Sequence, residues 1–275
     1  MKLVKICKLP KVNLFQFSLS CVSYSVAGRQ RGARGKEGGL ARYGASYVRS
    51  KKPDCFVMEQ VTGFVKCFPR EANSLKKRLT QSGEYKLAEY TLDASVHGSL
   101  PQRRVRWFLV GVRLDVLGNS TMPRSLSPVP MLNLSSLLNK KGKMQIPTDK
   151  TCSDNLVDVL KRIQAMGGSL QGSEWVADLQ STKASLQDGV APTLTASRCS
   201  AKGFYLVSRM RWTKVSELLK LQGMLNLDFG TLSKAKVGRM IGNGIPVTLL
   251  MRIFSMLLRV PQVSLTTQTF STPWD

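Results

Sequence analysis

Apolar and polar positions alternate over residues 12–19, where Val12, Leu14, Phe15 and Phe17 mark a strand that delivers Cys21 at its C-terminal end. A helix is predicted over about 40–49, closed by Lys51-Lys52-Pro53, and a strand over 54–58 then presents Glu59. A second helix over 71–81 stops at Gly83, a strand covers 84–93, and a turn at 93–102 leads into another strand over 105–112. Repeated strand-helix-strand units predict an α/β class with a mostly parallel sheet. Open sheets of this class place their chemistry at the C-terminal ends of strands, where both Cys21 and Glu59 fall.

The pattern weakens beyond Leu114. Ser, Leu, Asn and Pro dominate to about Leu138, Lys140, Lys141 and Lys143 cluster, and a helix is predicted only over 155–164. Helices return at 216–221, ended by Gly223, and from Pro246 to about Leu258. The apolar run 247–260 carries Arg252 and Arg259 and is too short to span a bilayer, so no membrane segment is predicted. Lys2, Lys5, Lys8 and Lys11 ahead of an apolar stretch superficially resemble a lipoprotein signal, but Asn13 and Gln16 interrupt that stretch.

Charge changes the picture more than hydropathy does. Lysine and arginine number 41 against 17 acidic residues, a net charge of +24, which points to a polyanionic partner: nucleic acid first, an anionic membrane surface second. Between residues 29 and 39, glycines 32, 35, 38 and 39 lie among Arg29, Arg31, Arg34 and Lys36, a loop composition that can approach phosphates closely. The six cysteines form no C-x-x-C pair and His97 is the sole histidine, so a structural zinc site has no ligand set, and no metal is expected. A reduced, intracellular chain is the simplest account of unpaired cysteines.

Three stretches acquire meaning together: Ser20-Cys21, Glu59-Gln60-Val61 and Pro101-Gln102-Arg103-Arg104-Val105-Arg106. Their order and spacing resemble the catalytic core of the C5-cytosine-specific DNA methyltransferase family, with its Pro-Cys nucleophile, Glu-Asn-Val acid and Gln-x-Arg-x-Arg clamp. Ser20 stands where the family has proline, and Gln60 where it has asparagine. Later, Ala191–Ala196, Arg211-Trp212-Thr213, Glu217 and Leu221-Gln222-Gly223 resemble the motif that braces the family's recognition domain. Gly242-Asn243-Gly244-Ile245-Pro246 resembles its last motif, a turn beside the cofactor.

The resemblance implies a partial, Rossmann-like S-adenosylmethionine-dependent methyltransferase sheet with an inserted small target recognition region. It divides the chain into a catalytic region at 1–115, a recognition region at 116–192, and late motifs with a C-terminal helix at 193–275. It implies methyl transfer from S-adenosylmethionine to C5 of cytosine through a covalent Cys21 adduct. Glu59 would contact N3 and the exocyclic amine, Arg104 and Arg106 would hold the base carbonyl and orient the glutamate, and Gln102, Arg29 and Arg31 would contact substrate. Asn243, Gly244 and Ile245 would line the cofactor. Double-stranded DNA is the implied partner, with tRNA as an alternative substrate. The target base must leave the helix to be reached. The localisation implied is the nucleus in a eukaryote and the cytoplasm or nucleoid in a bacterium.

No Phe-x-Gly-x-Gly loop precedes Cys21, although the family places one there with two further strands. Two readings therefore stand: a methyltransferase completed by a further segment or a complementing chain, or a methyltransferase-derived nucleic-acid-binding protein without turnover.

Overall fold

A computed structural model describes residues 6–18, 24, 32, 41–225 and 227–260. The chain forms two compact units, one drawn from Met1–Leu92, Val105–Leu126 and Ile253–Asp275, the other from Asp93–Arg104 and Ser127–Arg252.

The first unit is built on strands β1 (Leu14–Ser18), β2 (Cys55–Val61), β3 (Tyr85–Asp93) and β4 (Val105–Arg113), in the order β1-β2-β4-β3. Helix α1 (Ala41–Lys51) connects β1 to β2, and α2 (Pro69–Thr80) precedes β3. Proline suits the first turn of α2, where its fixed φ is helical and its missing N–H is not needed. β1 and β2 are parallel, from Leu14 opposite Cys55 to Ser18 opposite Glu59. β2 and β4 are antiparallel, from Cys55 opposite Val112 to Val61 opposite Arg106. The sheet is thus mixed, not mostly parallel as the pattern predicts. The short connection between β3 and β4 is the reason, since a parallel return needs a crossover of about a dozen residues or more.

One face of this sheet carries Phe56, Met58, Trp107 and Leu109, which pack with Ala45 and Val48 of α1 and Ala72, Leu75 and Leu79 of α2. Gly111 makes room for this packing: it lies opposite Phe56, and a Cβ there would fall 2.2 Å from the Phe56 ring. The observed β2 runs past residue 58 through Glu59 and Gln60 to Val61, because β4 supplies pairing partners as far as Arg106.

In the second unit, helix α3 (Lys150–Ala165) packs against a small antiparallel sheet of order β6-β5-β7-β8. Its strands are β5 (Trp175–Asp178), β6 (Ser185–Asp188), β7 (Tyr205–Leu206) and β8 (Arg211–Trp212). Cys152, Leu156, Val159 and Ile163 meet Ala177, Leu179, Tyr205 and Val207 in one core. α3 starts a full turn before the predicted residue 155, because the Asp149 side chain accepts the Cys152 N–H at 2.9 Å and caps the helix there. The sheet continues beyond residue 192, through Trp212.

Helices α4 (Ala196–Ser200), α5 (Val215–Leu221), α6 (Lys234–Asn243) and α7 (Val247–Leu258) complete the chain. α6 is absent from the sequence reading and begins at Ser233, whose side chain caps it. α4 and α6 approach so closely that a Cβ on Gly238 would lie 2.0 Å from the Cys199 carbonyl oxygen, and one on Gly242 would lie 2.2 Å from the Ala196 nitrogen. The stretch Lys234–Leu258 has the length and apolarity of a membrane span. It is nevertheless two helices, and Leu249, Ile253 and Leu257 are fully buried.

Candidate active-site residues and their supports

In the first unit the predicted acid Glu59 and the last arginine of the Gln-x-Arg-x-Arg run come together. Glu59 lies opposite Phe108, and Arg106 lies opposite Val61, so the two are diagonal cross-strand neighbours. Their side chains form an ion pair, Arg106 Nε to Glu59 Oε1, at 3.0 Å. Both are largely withdrawn from water, with side-chain exposures of 11% and 9%. Burying a charge is costly unless it is paired, and each of these groups gives the other its justification. Next to Glu59, the Gln60 side chain accepts the Val61 N–H at 2.7 Å.

Arg104, expected to share the clamp role, belongs to the second unit and is 3% exposed. Its guanidinium donates to the carbonyls of Leu194 at 2.6 Å, Gly242 at 3.3 Å and Gly244 at 2.8 Å. Gly242 lies in the last turn of α6, whose terminal carbonyls have no partner within the helix. A cation there satisfies them and opposes the negative end of the helix dipole.

Gln102, fully buried, works beside it. It donates from Nε2 to the Leu221 carbonyl at 2.9 Å and to Gln222 Oε1 at 3.0 Å. Gln222 in turn donates to the carbonyls of Ile241 at 2.6 Å and Gly244 at 3.0 Å. The backbone completes the junction, for Gln102 forms a parallel bridge with Ala191. The structure therefore places Gln102 and Arg104 as supports of the 241–244 turn, and Arg106 beside Glu59.

The late motif forms a buried polar cluster in the second unit. Glu217, 0% exposed, receives Arg211 at 2.7 and 3.0 Å, the Lys214 N–H at 2.7 Å and the Asn139 N–H at 2.7 Å. Burial pushes the Glu217 carboxyl up, but these donors outweigh burial and leave it below the usual carboxylate range. Arg209 and Arg211 share the Asn139 carbonyl, fixing the segment that precedes α3. Asn139 is a support that site reasoning from motifs does not find, and Gln222 is one that it reaches only within the late motif. Only the Leu-Gln-Gly match pointed at Gln222, and nothing in the sequence marks Asn139.

The expected nucleophile Cys21, its neighbour Ser20, and the loop residues Arg29 and Arg31 lie outside the described residues. Two other cysteines are unsuited to nucleophilic work: burial pushes the Cys55 and Cys199 thiols up to about 12. The turn expected at the cofactor has an exposed Asn243 followed by half-buried Gly244 and Ile245. A Cβ on Gly244 would lie 3.3 Å from the Met240 carbonyl oxygen, so this turn is narrow and tightly backed. An exposed amide on such a turn fits one edge of an S-adenosylmethionine site. Among the described residues no cluster of three or more His, Cys, Asp or Glu side chains suited to a metal ion occurs.

The sequence model of the C-5 cytosine-specific DNA methylase family matches residues 1–259. The chain belongs to this family. Among curated relatives, the type II methyltransferase M.BbvI of Brevibacillus brevis is 31% identical over 111 residues, or 39% of this chain and 29% of M.BbvI. M.AquIA of Picosynechococcus is 32% identical over 122 residues, or 40% of this chain and 49% of M.AquIA. The chain thus spans between about a third and a half of these relatives. Among solved structures, the Entamoeba histolytica methyltransferase EhMeth superposes with a TM-score of 0.60 at 13% identity, covering 90% of this chain and 77% of that one. The S. pombe Dnmt2 methyltransferase gives 0.57 at 15% identity, covering 94% and 83%. These establish a Rossmann-like methyltransferase fold for the described α/β architecture.

Proposed function

We propose that this chain carries out the base-activating and recognition steps of DNA cytosine-5 methylation. The observation that carries the reading is the buried Glu59–Arg106 ion pair on adjacent strands, in a chain whose family methylates cytosine at C5.

In this reading Cys21, as a thiolate, adds to C6 of an extruded cytosine and raises electron density at C5. Glu59 accepts hydrogen bonds from the exocyclic amine and manages the proton at N3. Arg106 holds Glu59 in position and donates to the base carbonyl, a task suited to a planar guanidinium. S-adenosylmethionine, when bound, supplies the methyl group, and Asn243, Gly244 and Ile245 would contribute to one side of its site. Arg29 and Arg31 contact the DNA backbone, and the region 116–192 carries target recognition. The curated relatives named above are bacterial, which favours an intracellular setting without a nucleus.

The test is to incubate the purified chain with duplex DNA carrying 5-fluorocytosine, with and without S-adenosylmethionine, beside a Cys21→Ala variant. A denaturant-resistant adduct that needs both Cys21 and the cofactor supports the reading. DNA retardation without an adduct would instead mark a binding protein without turnover, and the same adduct on tRNA alone would move the substrate to RNA.

A further inference from the structure

The second unit contains a groove of about 610 Å³ beside the Arg211-Trp212-Thr213 stretch, to which the late motif assigns no ligand. Its floor is Arg211, Trp212 and Thr213 of β8 and the residue that follows it, and its rim carries Lys143, Lys202, Lys214 and Lys234. These lysines come from four separate segments: the loop after residue 142, the turn just past α4, the entrance to α5 and the first turn of α6. All four are exposed.

The floor is electrically settled, since Arg211 is fully engaged by the buried Glu217. The rim is not. Asp149 pairs with Lys202 at 2.9 Å, and Lys202 also lies 5.4 Å from the centre of the Trp212 ring. Among the described residues no carboxylate pairs with Lys143, Lys214 or Lys234, and none lines the groove. Like charges gathered around a concavity repel one another and keep their hydration unless an anion enters, so the arrangement is favourable only when occupied by negative charge. A concave cationic rim suits a polyanionic strand better than the flat face of a bilayer.

We propose that this groove binds the phosphodiester backbone of the substrate DNA through Lys143, Lys214 and Lys234, with Lys202 exchanging Asp149 for a phosphate. The proposal rests on DNA as the partner. It adds a backbone-tracking site in the second unit, where lysines fix position without reading sequence.

The experiment compares the wild-type chain, a groove variant (Lys143→Gln, Lys214→Gln, Lys234→Gln) and a control (Lys66→Gln, Lys77→Gln, Lys86→Gln) that loses the same charge from exposed positions of the first unit. Binding to a fluorescent 20-base-pair duplex is measured from about 50 to 200 mM salt. Each lost phosphate contact lowers the slope of log K against log salt by about 0.9, so the groove variant should lose roughly two to three units of slope and the control less than one. Equal slopes for the groove variant and the control overturn the groove while leaving DNA binding intact. Absence of binding by the wild-type chain overturns both the groove and the DNA reading. Groove-dependent binding to phosphatidylserine vesicles with unchanged DNA binding also overturns it, in favour of a membrane surface. Matching melting curves for the three proteins exclude misfolding as the cause.

Discussion

Replacing Arg104 with methionine separates a support from a base contact. The substitution keeps length and apolar volume but removes the donors that serve Leu194, Gly242 and Gly244. A buried carbonyl left without a donor costs roughly 1–3 kcal/mol. Gly244 keeps its bond from Gln222, so Leu194 and Gly242 bear most of the loss. Two such carbonyls give about 2–6 kcal/mol, and the loss of one partner from a buried charged cluster narrows this to about 3–5 kcal/mol. For a chain of this size that corresponds to a fall in Tm of roughly 6–20 °C. Circular dichroism melts give the global change, and hydrogen exchange read by mass spectrometry gives the local one, with faster exchange expected at the amides of 241–247. Arg104→Lys should recover only part of the loss, because an ammonium cannot span three carbonyls as a fork does. A methionine variant that melts within about 1 kcal/mol of wild type, with unchanged exchange at the turn, would refute the supporting role.

Glu59→Gln keeps an acceptor for Arg106 but removes its counter-charge, so it should lower the melting temperature and slow 5-fluorocytosine adduct formation by roughly 10²–10⁴-fold, the range of a lost acid–base group; an unchanged rate in the folded variant would remove Glu59 from the mechanism. The lowered carboxyl of Glu217 contributes stability that is fully present above its unfolded-state range and is lost as pH falls through its lower folded value. Acid melts of Glu217→Gln should therefore show a shallower loss of stability below about pH 4 than wild type. Gly242→Ala should destabilise by about 3 kcal/mol or more, because its Cβ would meet the backbone of Thr195 and Ala196, which cannot swing aside, and urea unfolding would measure it. Iodoacetamide at pH 8 should label the exposed Cys7 and Cys67 and spare Cys55 and Cys199, as peptide mass mapping would reveal.

The first unit was largely legible because its elements are long and its strands apolar. β3 and β4 lie within a residue of their predicted bounds, and α1 and α2 within two. The sheet is mixed where the pattern predicts a mostly parallel one, since a periodicity of two is the same in either orientation. The second unit resisted for a different reason. Strands of two to four residues such as β7 and β5 are shorter than any window in which alternation can be recognised, and α3 and α6 begin at caps, Asp149 and Ser233, that the pattern did not flag. Motif order brought Glu59 and Arg106 into view, yet it treated the two arginines of the run as equivalent. Their separation follows from the chain crossing from one unit to the other between Arg104 and Val105, a boundary that no composition change announces. The sequence shows Lys143 only as part of a lysine cluster, and its convergence with Lys202, Lys214 and Lys234 was equally invisible, because four segments contribute one each.

That boundary also sets a schedule. Arg104 leaves the ribosome 140 residues before its partner Gly244, which at about 5–20 residues per second is a wait of roughly 7–28 s. During that interval the β2–β4 pairing can form, since every residue it needs has been made. The segment 93–104 must remain unclaimed, with a guanidinium and an amide destined for burial still in water. Arg104 and Gln102 are too polar to collapse early onto an apolar surface, and this keeps the segment available until α6 arrives. The side chains that brace the finished turn can therefore find their partners only after residues 241–244 have been made, so the second unit closes late in synthesis.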